Sequence, residues 1–390
     1  MPLPLEPHSD YTTIAHLVSP PQAPPSSRSH DPSNNLKRTD PFQFGSRYLE
    51  QGDDVYEFNA WDHVPADPEY LSYADTQYSK QRADPVSDFD RNRFNADPAK
   101  WWNLFYKNNT SNFFKDRKWL RQEFPVLADV TKAGAGRKVV LEVGAGAGNT
   151  AFPLLRGNEN EGLRVHACDF SKKAVEVMRG SEMFDEKYMA ADVWDVAAEG
   201  EGSLPPGLEE GSVDVVVLIF IFSALAPEQW VKALRNIYRV LKPGGDILFR
   251  DYGRGDLAQV RFKKGRWMGE NFYVRGDGTR VYFFDKDELS DIWGKWTPSS
   301  TEVATRQAQD GEEAKADEGQ GESAPPTQGE PAPEDGSSTT TEEPGFEILD
   351  LAVDRRLIVN RQQKLKMYRC WMQGRFRKRV PADPQEAGDR

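Results

Sequence analysis

The sequence predicts an α/β protein built on a doubly wound, largely parallel sheet, and three observations carry that reading. Residues 138–149 read KVVLEVGAGAGN, an apolar run that breaks into three alternate glycines, Gly144, Gly146 and Gly148. From there to residue 249, apolar segments of strand length alternate with segments of helical pattern, the order that winds a parallel sheet. An acidic residue, Asp169, closes the second apolar run 25 residues after Gly144. A doubly wound sheet brings such a carboxylate beside its first turn.

The elements follow in order. Val139, Val140, Leu141 and Val143 suit a strand buried on both faces. The glycines let the main chain turn sharply and let a ligand approach the backbone. Their spacing is G-x-G-x-G followed by Asn149, whereas a dinucleotide fingerprint needs its third glycine at 149. A helix is expected over Thr150–Arg156, with Pro153 in its first turn. The second strand is Arg164–Cys168, after which Ser171 caps the helix Lys172–Arg179. The third strand lies near Lys187–Ala190 and the fourth at Val213–Ile219, followed by the helix Pro227–Leu241. Lys242 to Gly245 forms a turn into a fifth strand, Asp246–Phe249. Asp285–Trp296 is a further helix, and Phe346–Val353 with Lys366–Phe376 make a closing antiparallel strand pair.

Composition divides the chain around this sheet. Residues 1–45 form a Pro/Ser-rich tail expected to be disordered. Residues 53–130, dense in aromatic and basic side chains and helical in part, read as an N-terminal extension. The sheet domain spans 131–296 and 346–380, interrupted by an acidic insert at 297–345 that cannot bury enough apolar surface to fold. That insert holds twelve of the 62 acidic residues and only two of the 50 basic ones. The remainder is therefore near balance despite the net charge of −12. Basic clusters then emerge at 107–121, 250–280 and 355–379, and such clusters suit phosphate contact. There is no apolar run of 18 residues, so no membrane span is expected. The N-terminus lacks the pattern of a secretory signal. Cys168 and Cys370 read as free, buried thiols of a reducing compartment. A cytoplasmic protein without a metal is the expectation.

Several residues converge on the carboxyl ends of the strands, where open α/β sheets bind ligands. Gly144 and Gly146 leave the backbone bare, and Asp169 can accept both hydroxyl protons of a ribose. Asp192, after the third strand, can accept from an adenine amino group, with Val193 offering a backbone N–H. Ile219 supplies an apolar contact to the ring. No G-K-[ST] follows the glycines. Alternate glycines after a strand and a glutamate resemble motif I of the class I S-adenosylmethionine (SAM) methyltransferases, which need no phosphate-binding lysine.

Longer stretches sharpen this resemblance. WWNLFYKNNTSNFFKDRKWLRQEFP, LEVGAGAGN, ACDFS, SVDVVVLIFIFSAL, LKPGGDILFRDYG and GENFYVRGDGTRVYFF together resemble the eukaryotic tRNA 3-methylcytidine methyltransferases, which modify cytidine 32 of the anticodon loop. The likeness covers roughly residues 53–296 and 346–379, and EFNAWDHV at 57–64 looks like the branch acting on threonine-type tRNAs, with serine or arginine types as further options. It implies a Rossmann-like fold and SAM contacts at Trp102, Tyr106, Gly144, Asp169, Asp192, Val193 and Ile219. To the N-terminal extension, residues 53–130, it assigns RNA binding and a cofactor lid. Trp102 and Tyr106 stand four residues apart, on one helix face. Family members can depend on partners such as an aminoacyl-tRNA synthetase.

The chemistry suggests further candidates. Cytosine N3 carries an in-plane lone pair, so it needs alignment more than a strong base, but its base must be unpaired to reach the donor. A carboxylate near N3 and N4 would stabilise the cationic product. Asp251, in FRDYG, is the candidate, with Arg250, Tyr252 and Arg254 placing the nucleotide; a structural ion pair of Arg250 with Asp251 is the competing reading. Lys115, Arg117, Arg261, Lys263, Lys264 and Arg266 are candidate phosphate contacts. A SAM methyltransferase acting on protein or a small molecule, or a non-catalytic methyltransferase-like scaffold, are the alternatives.

Overall fold

A computed structural model describes residues 47–299 and 343–380. The tail at 1–45 and nearly all of the acidic insert, both expected to be disordered, lie outside the described residues. The N-terminal part comprises β1 (Ala60–Asp62), α1 (Pro68–Ala83), α2 (Asp88–Ala96), α3 (Pro98–Asn109), α4 (Leu120–Glu123) and α5 (Pro125–Val130). Its first three helices start on side-chain caps. Asp67, Ser87 and Asp97 accept from the backbone N–H groups of Tyr70, Asp90 and Lys100, and a proline opens α1 and α3.

The central elements are β2 (Lys138–Val143), α6 (Ala151–Arg156), β3 (Leu163–Asp169), α7 (Lys172–Arg179), β4 (Met189–Val193), β5 (Val213–Ile219), α8 (Trp230–Val240) and β6 (Leu241–Tyr252). Then come α9 (Leu257–Val260), β7 (Trp267–Gly269), β8 (Phe272–Val274), β9 (Arg280–Tyr282), α10 (Lys286–Gly294), β10 (Phe346–Asn360) and β11 (Leu365–Lys378). An eight-stranded sheet runs β1-β10-β11-β6-β5-β2-β3-β4. Strands β2 to β6 are mutually parallel where they pair, and β11, β10 and β1 add antiparallel. Chain order reverses between β2 and β5, so their carboxyl ends open a crevice at the switch point.

Burial on both faces explains the near-continuous apolar strands. Leu141, Val216 and Leu218 pack with Leu234 and Ile237 of α8 on one side. Val140, Val215 and Val217 pack with Leu127, Leu154 and Met178 on the other. Each such side chain contributes about 1.5–3 kcal/mol. The N-terminal extension joins the same sheet, because Ala60–Asp62 pairs with Arg356–Ile358.

Four expectations need adjustment. The third central strand is Met189–Val193 rather than 187–190, because Asp185 holds Lys187 to Met189 in a turn through its side chain and carbonyl. The strand expected from Asp246 starts at Leu241, which pairs with Val213 across a bulge. Gly244, at φ +74°, absorbs the irregularity that reads as a turn. The closing pair is longer than expected, reaching Asn360 and Leu365. A three-stranded sheet, β7-β8-β9, forms where only a basic cluster was apparent, its strands being three residues each and too short for a periodic signal.

Candidate active site

The crevice is built on the turn after β2. Gly144, Gly146 and Gly148 have φ of +64°, +60° and +85°, a region that costs any other residue strain. Space is equally restrictive: a Cβ on Gly144 would overlap Ile221, and one on Gly146 the Tyr106 hydroxyl. Asp169, at the end of β3, accepts from the N–H of Gly146 and of Ser171, both at 2.8 Å. Burial pushes its carboxyl up to about 6, against the pull of those two N–H groups. A carboxylate offers about four acceptor positions, so it can still take hydroxyl protons from the cavity that it lines.

That cavity measures about 420 Å³, within the usual range for a cofactor site. Trp102 and Tyr106 of α3 also line it, their rings 6.3 Å apart and inclined at 30°. Ile219 lines it from the end of β5, and Lys115 and Tyr252 contribute to the lining as well. The structure thus brings Trp102, Tyr106, Gly144, Gly146, Asp169 and Ile219 together. Asp192 and Val193 fall outside the lining; Asp192 pairs with Arg179 at 2.7 Å, and the following residues Trp194 to Val196 face the cavity instead.

Asp251 does not meet the cavity. It is fully buried behind the wall, accepting from the N–H of Ser223 at 2.9 Å and of Tyr252 at 2.8 Å. It therefore holds the loop that carries Ser223 and lies outside the cavity lining. Nor does it pair with Arg250, which reaches the opposite way. Arg250 donates to Asp354 at 2.5 Å and to Gln373, and lies between the rings of Trp119 and Trp371. Side chains alternate along a strand, so neighbours in sequence face opposite layers.

Other basic candidates are also engaged. Arg117 is enclosed, donating to Thr150 Oγ1 at 3.0 Å beside Glu142, although it reaches the cavity lining. Arg254 pairs with Asp285 at 3.2 Å away from the cavity. Arg266 is half-buried and donates to the Arg275 carbonyl, while Arg261 is half-buried on α9's C-terminal side. Lys263 and Lys264 are exposed. Much of the C-terminal cluster is paired: the half-exposed Arg356, Arg369, Arg375 and Arg377 bond the buried carboxylates of Asp62, Asp256 and Asp246.

Phe220, Arg275 and Asp277 are among the lining residues that the sequence did not single out. Phe220 follows β5 at φ +62°, a strained conformation for a bulky residue. Its N–H donates to the Arg250 carbonyl at 2.8 Å, and its ring lies 4.8 Å from that of Tyr252. Within FIF it reads as strand continuation. Arg275 and Asp277 project from the β8–β9 turn, whose signal was the Gly276-Asp277-Gly278 triplet.

Bare glycines, a buried diol acceptor and an aromatic wall suit a nucleoside carrying a cation, since ring faces attract sulfonium-type charge. Fold and site together define a class I SAM-dependent methyltransferase, and residues 141–247 match the methyltransferase domain family. The chain is 42% identical over 335 residues to a tRNA N(3)-methylcytidine methyltransferase of Schizosaccharomyces pombe, spanning 86% of this chain and 92% of that protein. It is 32% identical over 402 residues to a human tRNA N(3)-cytidine methyltransferase, at 86% and 93% coverage. A tRNA(Thr) (cytosine(32)-N(3))-methyltransferase of Saccharomyces cerevisiae is 44% identical over 349 residues, but this chain spans only 48% of its length. The chain belongs to the tRNA N3-methylcytidine methyltransferase family.

Proposed function

We propose that this protein transfers the methyl group of SAM to N3 of cytidine 32 in the anticodon loop of tRNA, with threonine-type tRNAs favoured over serine or arginine types. One observation carries the reading: a single cavity of about 420 Å³ is lined both by Asp169 with the glycine turn and by Tyr252 with Arg275. Bound SAM supplies a methyl already activated on sulfonium, so transfer is an in-line displacement governed by alignment.

The chain's residues divide that task. Asp169 accepts ribose hydroxyls while Gly146 brings main chain close. Trp102 and Tyr106 close the wall and exclude water. Burial, with the nearby Asp169 charge, holds the Tyr106 phenol well above its ordinary value, so it stays a donor. Phe220 and Tyr252 form an apolar lip on which an extruded pyrimidine can stack. Lys115, Lys263 and Lys264 supply exposed positive charge for phosphate. Pairing of the C-terminal cluster with carboxylates reduces the net positive surface, which favours recruitment of a helper such as an aminoacyl-tRNA synthetase.

Mass spectrometry of nucleosides from tRNA incubated with the protein and SAM tests the reading. 3-Methylcytidine should accumulate, confined to position 32. Methylation of protein, with none of tRNA, would favour the alternative substrate class.

A further inference from the structure

Three carboxylates line the cavity, those of Asp169, Asp195 and Asp277. Asp169 belongs to the glycine turn through its bond to Gly146. Asp195 follows β4, on the far side of the sheet from β6, and accepts from the Ala197 N–H. Asp277 lies at the tip of the β8–β9 turn, on the side where Arg275 stands 5.7 Å from the Tyr252 ring.

This turn is held in place. The Arg275 N–H donates to the Thr279 carbonyl at 2.7 Å, and the Gly278 N–H to the Arg275 carbonyl at 3.0 Å. Asp277 Oδ1 accepts from the N–H and the hydroxyl of Thr279, at 2.9 and 2.7 Å. Gly278 has φ +86°, and a Cβ there would overlap Trp101, so the turn leans on α3. One carboxylate oxygen is thereby fixed. Among the described residues no donor takes the other, Oδ2, and the side chain is exposed at the cavity lining.

We propose that Asp277 Oδ2 accepts a hydrogen from the N4 amine of the target cytosine and so selects cytosine over uracil. The inference rests on the methyltransferase reading above. Cytosine presents a donor at position 4, whereas uracil presents a carbonyl oxygen that a carboxylate repels. As the N3–C bond forms, the S–C bond breaks, its electron pair stays on sulfur, and the ring takes the positive charge. That charge spreads onto N4, so the contact with Asp277 strengthens during transfer.

Asp277→Asn keeps an oxygen for Thr279 and replaces the free acceptor with an NH2 group that opposes N4. The test uses two anticodon stem-loop RNAs, one with cytidine at position 32 and one with the pyrimidin-2-one riboside, which keeps N3 but lacks the amine. On cytidine RNA, kcat/KM should fall about 10- to 100-fold, the range for losing a hydrogen bond to a charged group. On the pyrimidinone RNA, wild type and variant should agree within about twofold, and SAM affinity by calorimetry should be unchanged. An equal loss on both RNAs, or no loss on cytidine, overturns the proposal. Wild type that binds SAM yet methylates neither RNA overturns the functional reading itself, a result visible before any variant is made.

Discussion

The hydroxyl of Tyr106 occupies the space that a Cβ on Gly146 would need, so α3 of the N-terminal extension closes directly onto the first turn of the sheet. Aromatic extension and glycine turn therefore make one wall.

Gly146→Ala should lose that wall. The residue would sit at φ +60°, costing about 1 kcal/mol or more, and would displace Tyr106 as well. SAM affinity measured by calorimetry should fall at least about tenfold, with a smaller loss in Tm. Unchanged affinity would show that Tyr106 moves freely and does not seal the cavity.

Arg250 should matter for folding and not for RNA. Arg250→Met leaves Asp354 buried without its partner, both side chains being only 3% exposed in the parent. Breaking such a pair costs about 3–5 kcal/mol, readable by urea unfolding, and the salt dependence of tRNA affinity should not change. Stability within about 1 kcal/mol, with a shallower salt slope, would instead assign Arg250 to phosphate.

Lys115 and Lys264 are the contrasting pair. Both are exposed, so Ala at either should leave stability alone. Each phosphate contact removed should reduce the slope of log affinity against log salt by about 0.7–0.9 and raise KM for tRNA. Slopes identical to wild type would place the RNA on another face.

Asp169 imposes a pH dependence. Burial raises its carboxyl to about 6, above the ordinary 3.8. Its contribution to folding is therefore full below the unfolded value near 4 and is lost as pH rises through 6. SAM binding should run the opposite way, because only the ionised form accepts both ribose hydroxyls. Affinity should rise between pH 5 and 7, and Asp169→Asn should flatten the profile while weakening binding. A flat wild-type profile would remove Asp169 from the diol site.

The doubly wound core was legible because it depends on local signals. Val139 to Val143 and Val213 to Ile219 are apolar on both faces, and Gly144, Gly146 and Gly148 punctuate the chain where only glycine fits. Ser171 announced α7 through its own side chain, which accepts from Ala174. Trp102 and Tyr106 came from a resemblance between sequences, since nothing local says that an N-terminal helix faces a turn some 40 residues later.

Sequence alone determined the sheet, the glycine cradle and the acid beside it, because strand burial, backbone freedom and helix capping act between residues a few positions apart. Tertiary structure decided which charges are available. Arg250 and Asp251 are adjacent, yet alternation along β6 sends one to Asp354 across β11 and the other behind Ser223. The Arg355–Arg379 cluster reads as a phosphate surface, yet antiparallel pairing lays much of it against Asp62, Asp246 and Asp256. Asp277 sits on a turn that its flanking glycines announce, yet it faces the cavity because Gly278 packs on Trp101. Whether a charge meets substrate or a buried partner depends on contacts between segments up to about 300 residues apart, as with Asp62 and Arg356, and no local pattern encodes those.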